Sequence, residues 1–417
     1  MTVSTRILTF VSLLFAGTLV ADEWTMFHGP DGQNRSPETG LLTSWPDGGP
    51  KLLWKASGIG EGVSGYSSVT IQSGRLFTSG NRNRRSIVYC FDMNGGKLWE
   101  YDNGPAWMRD YPGTRSTPTV DGDYVYDFSP HGQLTCLTAD KGERIWSRNV
   151  LTDFEGENIR WALAESILID GDRLYCSPGG KRASFVALNK KTGETMWTTP
   201  ALDASTAYGS PVIIEQDGLR MILTPYANGM FGVNAKNGEW LFTFKHIQNA
   251  GVNCARPIYH EGHVFFVNTL TSRGQGAILL KIIVDNNKVS LDEVWRNRDF
   301  DNLHDSVMLI DGFLYGTTSH GRSRVFICVD WKTGKTQYEN RGVGGGSLTW
   351  AEGLLYFYSE DGNVLLMRPN PEKYDVISQF DLPEGGEGAT WAHPVICGKR
   401  LYLRHGTFLY CYDIAQK

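Results

Sequence analysis

Residues 166–198 read SILIDGDRLYCSPGGKRASFVALNKKTGETMWT, and this stretch holds the plan of the whole chain. Ser166 to Ile169 is an aliphatic strand, Asp170-Gly171-Asp172 a tight turn, and Arg173 to Ser177 a second strand. Gly179-Gly180 turns the chain again, Phe185 to Asn189 forms a third strand, and Lys191-Thr192-Gly193 leads into a fourth, Glu194 to Thr198. Short apolar runs separated by Asp-Gly, Gly-Gly and Thr-Gly pairs are antiparallel hairpin signals, because these residues reach the backbone angles that tight turns demand.

Outward from this unit the same phrase recurs eight times, with first turns at Gly74, Gly122, Gly171, Gly218, Gly262, Gly312, Gly353 and Gly398. The intervals are 48, 49, 47, 44, 50, 41 and 45 residues. A period of about 40–50 residues with four strands per unit is the signature of a β-propeller. The fifth repeat is the least regular, with Ser272-Arg273-Gly274-Gln275-Gly276 in place of its second turn. The last repeat, His393 to Ile414, stops one strand short. Lys51-Leu52-Leu53-Trp54 has the form of an outer strand, like Lys97-Leu98-Trp99, but no repeat precedes it. Pairing the two ends closes the ring and removes a free sheet edge. The expected fold is therefore all-β, an eight-bladed propeller of four-stranded antiparallel blades over residues 51–417, with 51–56 completing the last blade.

Composition agrees. A chain of 417 residues that is 41% hydrophobic, with 48 glycines and 13 tryptophans, suits many short strands around a large core. A net charge of -5 without Lys/Arg blocks argues against nucleic acid and anionic membrane surfaces as partners. Arg6 precedes an apolar run from Ile7 to Val20 that is too short for a comfortable membrane span and right for a signal-peptide core. Residues 1–21 are thus expected to be a signal peptide, 22–50 an irregular arm over one face, and the mature protein periplasmic or secreted, without a transmembrane domain. Seven cysteines would suggest disulfides in such a protein. Cys90, Cys136, Cys328 and Cys411, however, hold one place in four repeats, and Ala187 and Gly232 hold it in two others. A place restricted to small residues is a crowded buried strand position, where free Cys packs as a small hydrophobe.

Ala187-Leu188-Asn189-Lys190-Lys191-Thr192-Gly193-Glu194-Thr195-Met196-Trp197 resembles the tryptophan-docking motif of the pyrroloquinoline quinone (PQQ) repeat, with Asn189 at the motif's aspartate. Cys328 to Gly334 and Phe91 to Trp99 are weaker copies. The resemblance implies one of two roles: a quinoprotein alcohol dehydrogenase, or a cofactor-free propeller that binds other proteins, such as the scaffold subunit of the outer-membrane β-barrel assembly machine. Fold alone does not choose between them.

Inner strands of a propeller approach its axis, so residues at their starts converge on one pore mouth. Aligned on the first turns, Ser67, Ser116, Glu165, Ala255, Asp305, Gly346 and Ala392 are equivalent. One place earlier lie Tyr66, Arg115, Ala164, Cys254, His304 and Trp391; one place later lie Arg256 and His393. Asn253 starts the fifth inner segment. Glu165, Asn253 and Asp305 are expected to meet at the mouth, with Arg115, Arg256, His304 and His393 around them. Hard cations take oxygen ligands, which Glu165 and Asn253 offer. A carboxylate free of metal, Asp305, could accept an alcohol proton as hydride leaves. This order is similar to that of the quinoprotein dehydrogenases, whose Glu and Asn hold calcium and whose Asp is the base. The resemblance then implies quinone binding by Arg109 or Arg115, with Trp107, Trp161 or Trp391 stacked on the rings and Arg256 nearby. Two departures stand against it: no two cysteines are adjacent, and the chain is short for such an enzyme.

The favoured expectation is a binding or scaffold module that needs no cofactor and takes a protein, peptide or polymer partner on its loop face. Trp107, Arg109, Tyr111 and Trp161 are its expected anchors, being the residue types enriched at binding hot spots. The alternative is a PQQ- and calcium-dependent alcohol dehydrogenase with Asp305 as base. His260 and His263 flank a hairpin turn and lack the helical spacing of a zinc motif. Gly58-Ile59-Gly60-Glu61-Gly62 is followed by no helix pattern, so it reads as linker rather than phosphate loop.

Overall fold

The computed structural model describes residues 23–60, 65–247, 251–269, 275–304, 306–318 and 324–417. The expected signal peptide and Asp305 lie outside the described residues, as do Ser272, Arg273 and Gly274 of the fifth repeat. Among the described residues no helix is long and apolar enough to cross a membrane.

Eight antiparallel four-stranded sheets form the blades of a propeller. The third blade comprises Leu168–Asp170, Arg173–Cys176, Val186–Asn189 and Thr195–Thr198, the four strands legible in its sequence. Closure follows the expected route. The last repeat contributes Val395–Cys397, Arg400–His405 and Phe408–Asp413, and Lys51–Ala56 pairs with the last of these to complete the eighth blade. Residues before Lys51 add one feature: Arg35–Ser36 pairs in parallel with the inner strand Gly346–Ala351, giving the seventh blade a fifth strand.

The seams between blades are built twice over. On the outside, Trp54, Trp99, Trp146, Trp197 and Trp295 each lie against a turn glycine of the following blade: Gly95, Gly142, Gly193, Gly238 and Gly334. A Cβ at any of these glycines would stand 2.3–2.8 Å from the indole, so only glycine admits the ring. Four of these indoles also donate Nε1–H to a backbone carbonyl of the next blade, at 2.7–3.1 Å. Each outer strand carries a one-residue irregularity in its pairing next to this position, between Leu52 and Trp54 and between Arg144 and Trp146 for example. Such a bulge bends the strand and re-aims a side chain; here it leaves Leu53 and Ile145 exposed while the neighbouring indole turns inward.

The cysteine position now has its reason. Cys90 pairs with Trp99, Cys136 with Trp146, Cys411 with Trp54 and Cys328 with Tyr338, while Ala187 faces Trp197 and Gly232 faces Phe242. In these six blades a small residue stands opposite the bulky ring, whereas the fifth blade, where Leu279 faces Trp295, departs from the restriction expected of this place. None of the seven cysteines is in a disulfide among the described residues, and all but Cys254 are buried.

On the inside, hydroxyl groups link successive inner strands. The backbone N–H of His393 donates to Ser68 Oγ (2.8 Å), that of Ser68 to Thr117 Oγ1 (2.9 Å), that of Thr117 to Ser166 Oγ (3.0 Å) and that of Ser166 to Ser210 Oγ (2.9 Å). At the closure, the buried Arg404 guanidinium donates to the carbonyls of Ser67, Ser79 and Ile59, fastening the last blade to the first.

Candidate functional site

The residues just ahead of the inner strands surround one end of the central channel and form a cup of about 400 Å³. Seven blades contribute Tyr66, Arg115, Ala164, Tyr208, Cys254, His304 and Trp391. The channel floor is Phe27, delivered by the segment that precedes the propeller, with His393 beside it.

This ring lies one residue before the one expected to face the pore. Ser67, Ser116, Glu165, Ala255 and Ala392 are all buried within the wall, each at most 3% exposed. Successive side chains of an extended segment point to opposite faces, so a one-residue difference in phase exchanges the entire set. Neither Glu165 nor Asn253, expected together at the mouth, is among the residues that line the cup. Glu165 Oε1 is buried without a hydrogen-bond partner, and burial raises the carboxyl to about 8 against hydrogen bonds from Ser177. Asn253 Nδ2 donates to the Tyr226 carbonyl at 2.7 Å, and its Oδ1 is likewise without a partner.

Of the other expected site residues, Arg115, Trp161, Trp391 and Tyr111 come together in the cup. Trp391 is its central wall: Tyr66 packs on it at 4.6 Å between centroids, His304 stacks at 4.6 Å, and Tyr111 lies at 5.2 Å. Trp161 and Tyr208 form the second wall, 6.0 Å apart, with Arg160 over the Trp161 ring at 4.6 Å. Tyr111 holds the left-handed backbone (φ 52°) and remains 54% exposed at the rim. Trp107 does not reach the cup; it is buried, and its Nε1 donates to the Asp110 carbonyl at 3.0 Å. Arg109 is exposed beside it, 5.6 Å over the Trp107 ring. Arg256 lines a separate cavity at the opposite end of the channel, under Gly32.

The charges of the cup are unevenly matched. Arg324 forms an ion pair with Glu360, whose Oε1 also lies 3.3 Å from His304 Nε2. Arg115 donates to the carbonyls of Gly113 (2.9 Å) and Tyr111 (2.6 Å), and no carboxylate among the described residues pairs with it. Burial lowers its guanidinium to about 10. Burial also drives His304 down to about 3, helped by Arg324, and His393 to about 4. Both imidazoles are neutral at ordinary pH.

Three members of the site were not legible. Tyr208 stands ten residues before its turn glycine where Arg115 stands seven before its own, so the repeat alignment passes over it. Arg324 comes from beyond the second strand of its blade, and Phe27 from outside the repeats. Only a count of aromatic and basic residues near the mouth would have flagged them.

Eight four-stranded blades, five of whose seams carry a tryptophan–glycine dock, with a varied ring at one channel mouth, have the form of a PQQ-repeat propeller. Residues 84–340 match the family model described as outer membrane protein assembly factor BamB, and the chain belongs to that PQQ-repeat family. It is 27% identical over 140 residues to a quinoprotein ethanol dehydrogenase of Pseudomonas aeruginosa, a match covering 32% of this chain and 22% of that protein. It is 26% identical over 161 residues to outer membrane protein assembly factor BamB of Salmonella typhimurium, covering 37% of this chain and 36% of that one. The matches thus span well under half the length of either relative. Among solved structures, BamB from Moraxella catarrhalis superposes with a TM-score of 0.58 at 13% identity, over 88% of this chain and 98% of that one. A europium-containing methanol dehydrogenase superposes with a TM-score of 0.64 at 12% identity, over 93% and 91% respectively. At these identities the structural likeness speaks for the fold alone.

Proposed function

We propose that the protein is an exported propeller serving as a binding or scaffold module, which takes a protein, peptide or polymer partner at the mouth of its channel. The observation that carries this reading is the cup itself: aromatic walls, an open rim bearing Tyr111 and Trp161, and a guanidinium at Arg115 without a counter-ion among the described residues. Aromatic and arginine side chains around a partly desolvated pocket are the composition of binding hot spots. Arg109 extends the surface outward, while Trp107 acts from beneath as the prop of the loop. The test is capture by the immobilised mature protein, compared with a Tyr111→Ala, Trp161→Ala double variant of unchanged circular dichroism. Loss of a retained species in the variant supports the reading; identical capture by both proteins sinks it.

The second reading, a PQQ- and calcium-dependent alcohol dehydrogenase with Asp305 as base, draws on the similarity to quinoprotein ethanol dehydrogenases. The cup's aromatic walls suit a planar ring system, and Arg115 suits one of its carboxylates. The oxygen donors meant for calcium do not, since Glu165 and Asn253 are buried behind the wall rather than in the cup. Calorimetric titration with PQQ, with and without calcium, decides it: calcium-dependent binding at micromolar or tighter affinity that Glu165→Ala abolishes would make this reading primary.

A further inference from the structure

We propose that the cup is a receptor for a single carboxylate carried on an aromatic or branched apolar body, with Arg115 as the charged anchor. The inference rests on the binding-module reading and names the chemistry of what is bound. It begins with the charge balance. Arg324 is already neutralised by Glu360, and no Asp or Glu is among the described side chains that line the cup. His304 and His393 are held neutral by burial. Among the described residues that line the cup one positive charge remains unmatched, on Arg115, and one negative charge on a ligand matches it.

Donor geometry points the same way. A guanidinium has five N–H groups. In Arg115 two are taken up by the Gly113 and Tyr111 carbonyls, which leaves donors for a carboxylate in a charge-assisted pair. The remaining surface excludes a strongly polar body. Trp391 with Tyr66 and Trp161 with Tyr208 present ring faces and edges, and Phe27 closes the floor. A cavity of about 400 Å³ holds one ring or branched side chain with its acid group rather than a long folded segment.

Two sources share this chemistry, a free small carboxylic acid and the C-terminal residue of a polypeptide. The experiment titrates the mature protein with phenylacetate, phenylacetamide, and a hexapeptide ending in phenylalanine with a free or amidated terminus. Tryptophan fluorescence and calorimetry report binding. The acid is expected to bind at least about tenfold more tightly than its amide, a difference of about 1.4 kcal/mol. Arg115→Met should erase that preference with the melting temperature unchanged, and Arg115→Lys should restore part of it, since a point charge replaces a fork. Preference for the free-terminus peptide over phenylacetate assigns the source to a chain end; the reverse assigns it to a small molecule. Equal affinity for acid and amide, a preference that survives Arg115→Met, or no binding by either acid overturns the inference. If the acids fail while the Tyr111, Trp161 variant still loses its captured partner, the carboxylate inference falls alone. If capture is also indifferent to that variant, the binding reading falls with it.

Discussion

The outer seams and the channel mouth belong to the same eight blades, yet they obey opposite rules. At four seams one solution is repeated: a tryptophan, a bulge before it, a small residue across from it, a turn glycine in the next blade. At the mouth seven of the blades offer in turn Tyr66, Arg115, Ala164, Tyr208, Cys254, His304 and Trp391, with only two tyrosines alike. The comparison teaches where function can be placed on a repeat. Docking positions are fixed by the neighbour they must fit, whereas mouth positions meet only the channel and are free to diverge.

The sharpest way to break this division is at the closure, where wall and mouth meet. Arg404 is 2% exposed, and burial lowers its guanidinium to about 10. Among the described residues it has no carboxylate partner, only carbonyls and the Thr78 hydroxyl (2.9 Å). Arg404→Met strands several buried acceptors and should cost about 3–5 kcal/mol in urea unfolding, with the ring opening between the last blade and the first. A loss under about 1 kcal/mol would show that strand pairing by Lys51–Ala56 closes the ring unaided.

Glu165 gives the next largest effect, and it separates the two functional readings. Its folded-state carboxyl is raised from 4.5 to about 8 by burial. A raised value means its contribution to stability is fully present below 4.5 and is lost as pH climbs through about 8. Glu165→Gln, a permanent mimic of the neutral acid, should match the parent in acid and exceed it by about 2–4 kcal/mol near pH 8. Thermal melts across that range check this. A variant that is no more stable at pH 8 would mean that a cation or proton donor already satisfies the carboxylate, as the calcium reading requires.

These two residues also show how far the sequence could be read. Turn glycines, four strands per unit and the stray Lys51–Trp54 strand were legible because pairing and turn chemistry are local, and the structure has the same ring. The phase of the mouth was not. Residues 66–68, 115–117 and 164–166 precede the regular inner strands, which begin at Thr70, Thr119 and Leu168. Counting back from a glycine turn therefore runs through irregular backbone, where alternation carries no fixed register. Glu165 and Arg115 were both singled out, but which of them faces water depended on that one-residue phase.

The seams themselves predict a moderate effect. At Gly193 the backbone is left-handed (φ 73°), and an added Cβ would lie 2.8 Å from the Trp146 ring. Gly193→Ala should cost about 1–3 kcal/mol, combining backbone strain with displacement of the indole. Chemical denaturation followed by tryptophan fluorescence checks it. Because cup residues touch neither group, binding of phenylacetate by the folded variant should be unchanged, and a parallel loss of binding would erase the division between seam and mouth.

The smallest expected effect concerns thiols, and it compares the two regions with one residue type. Cys90, Cys136, Cys328 and Cys411 sit behind the docking rings, and burial pushes each thiol up to about 12. At pH 8 such a group is thiolate in only about one molecule in ten thousand, and the thiolate is the reactive form. Cys176 and Cys397 are buried as well. Cys254 alone is partly exposed, in the cup beside Arg115. A disulfide reagent such as Ellman's should therefore modify one thiol per folded chain, and the remaining six only after denaturation. Phenylacetate should slow that first reaction, because ligand and reagent compete for one space. Two or more rapidly reacting thiols in the folded protein would mean that the seams open readily, and that their uniformity reflects repetition of sequence more than tightness of packing.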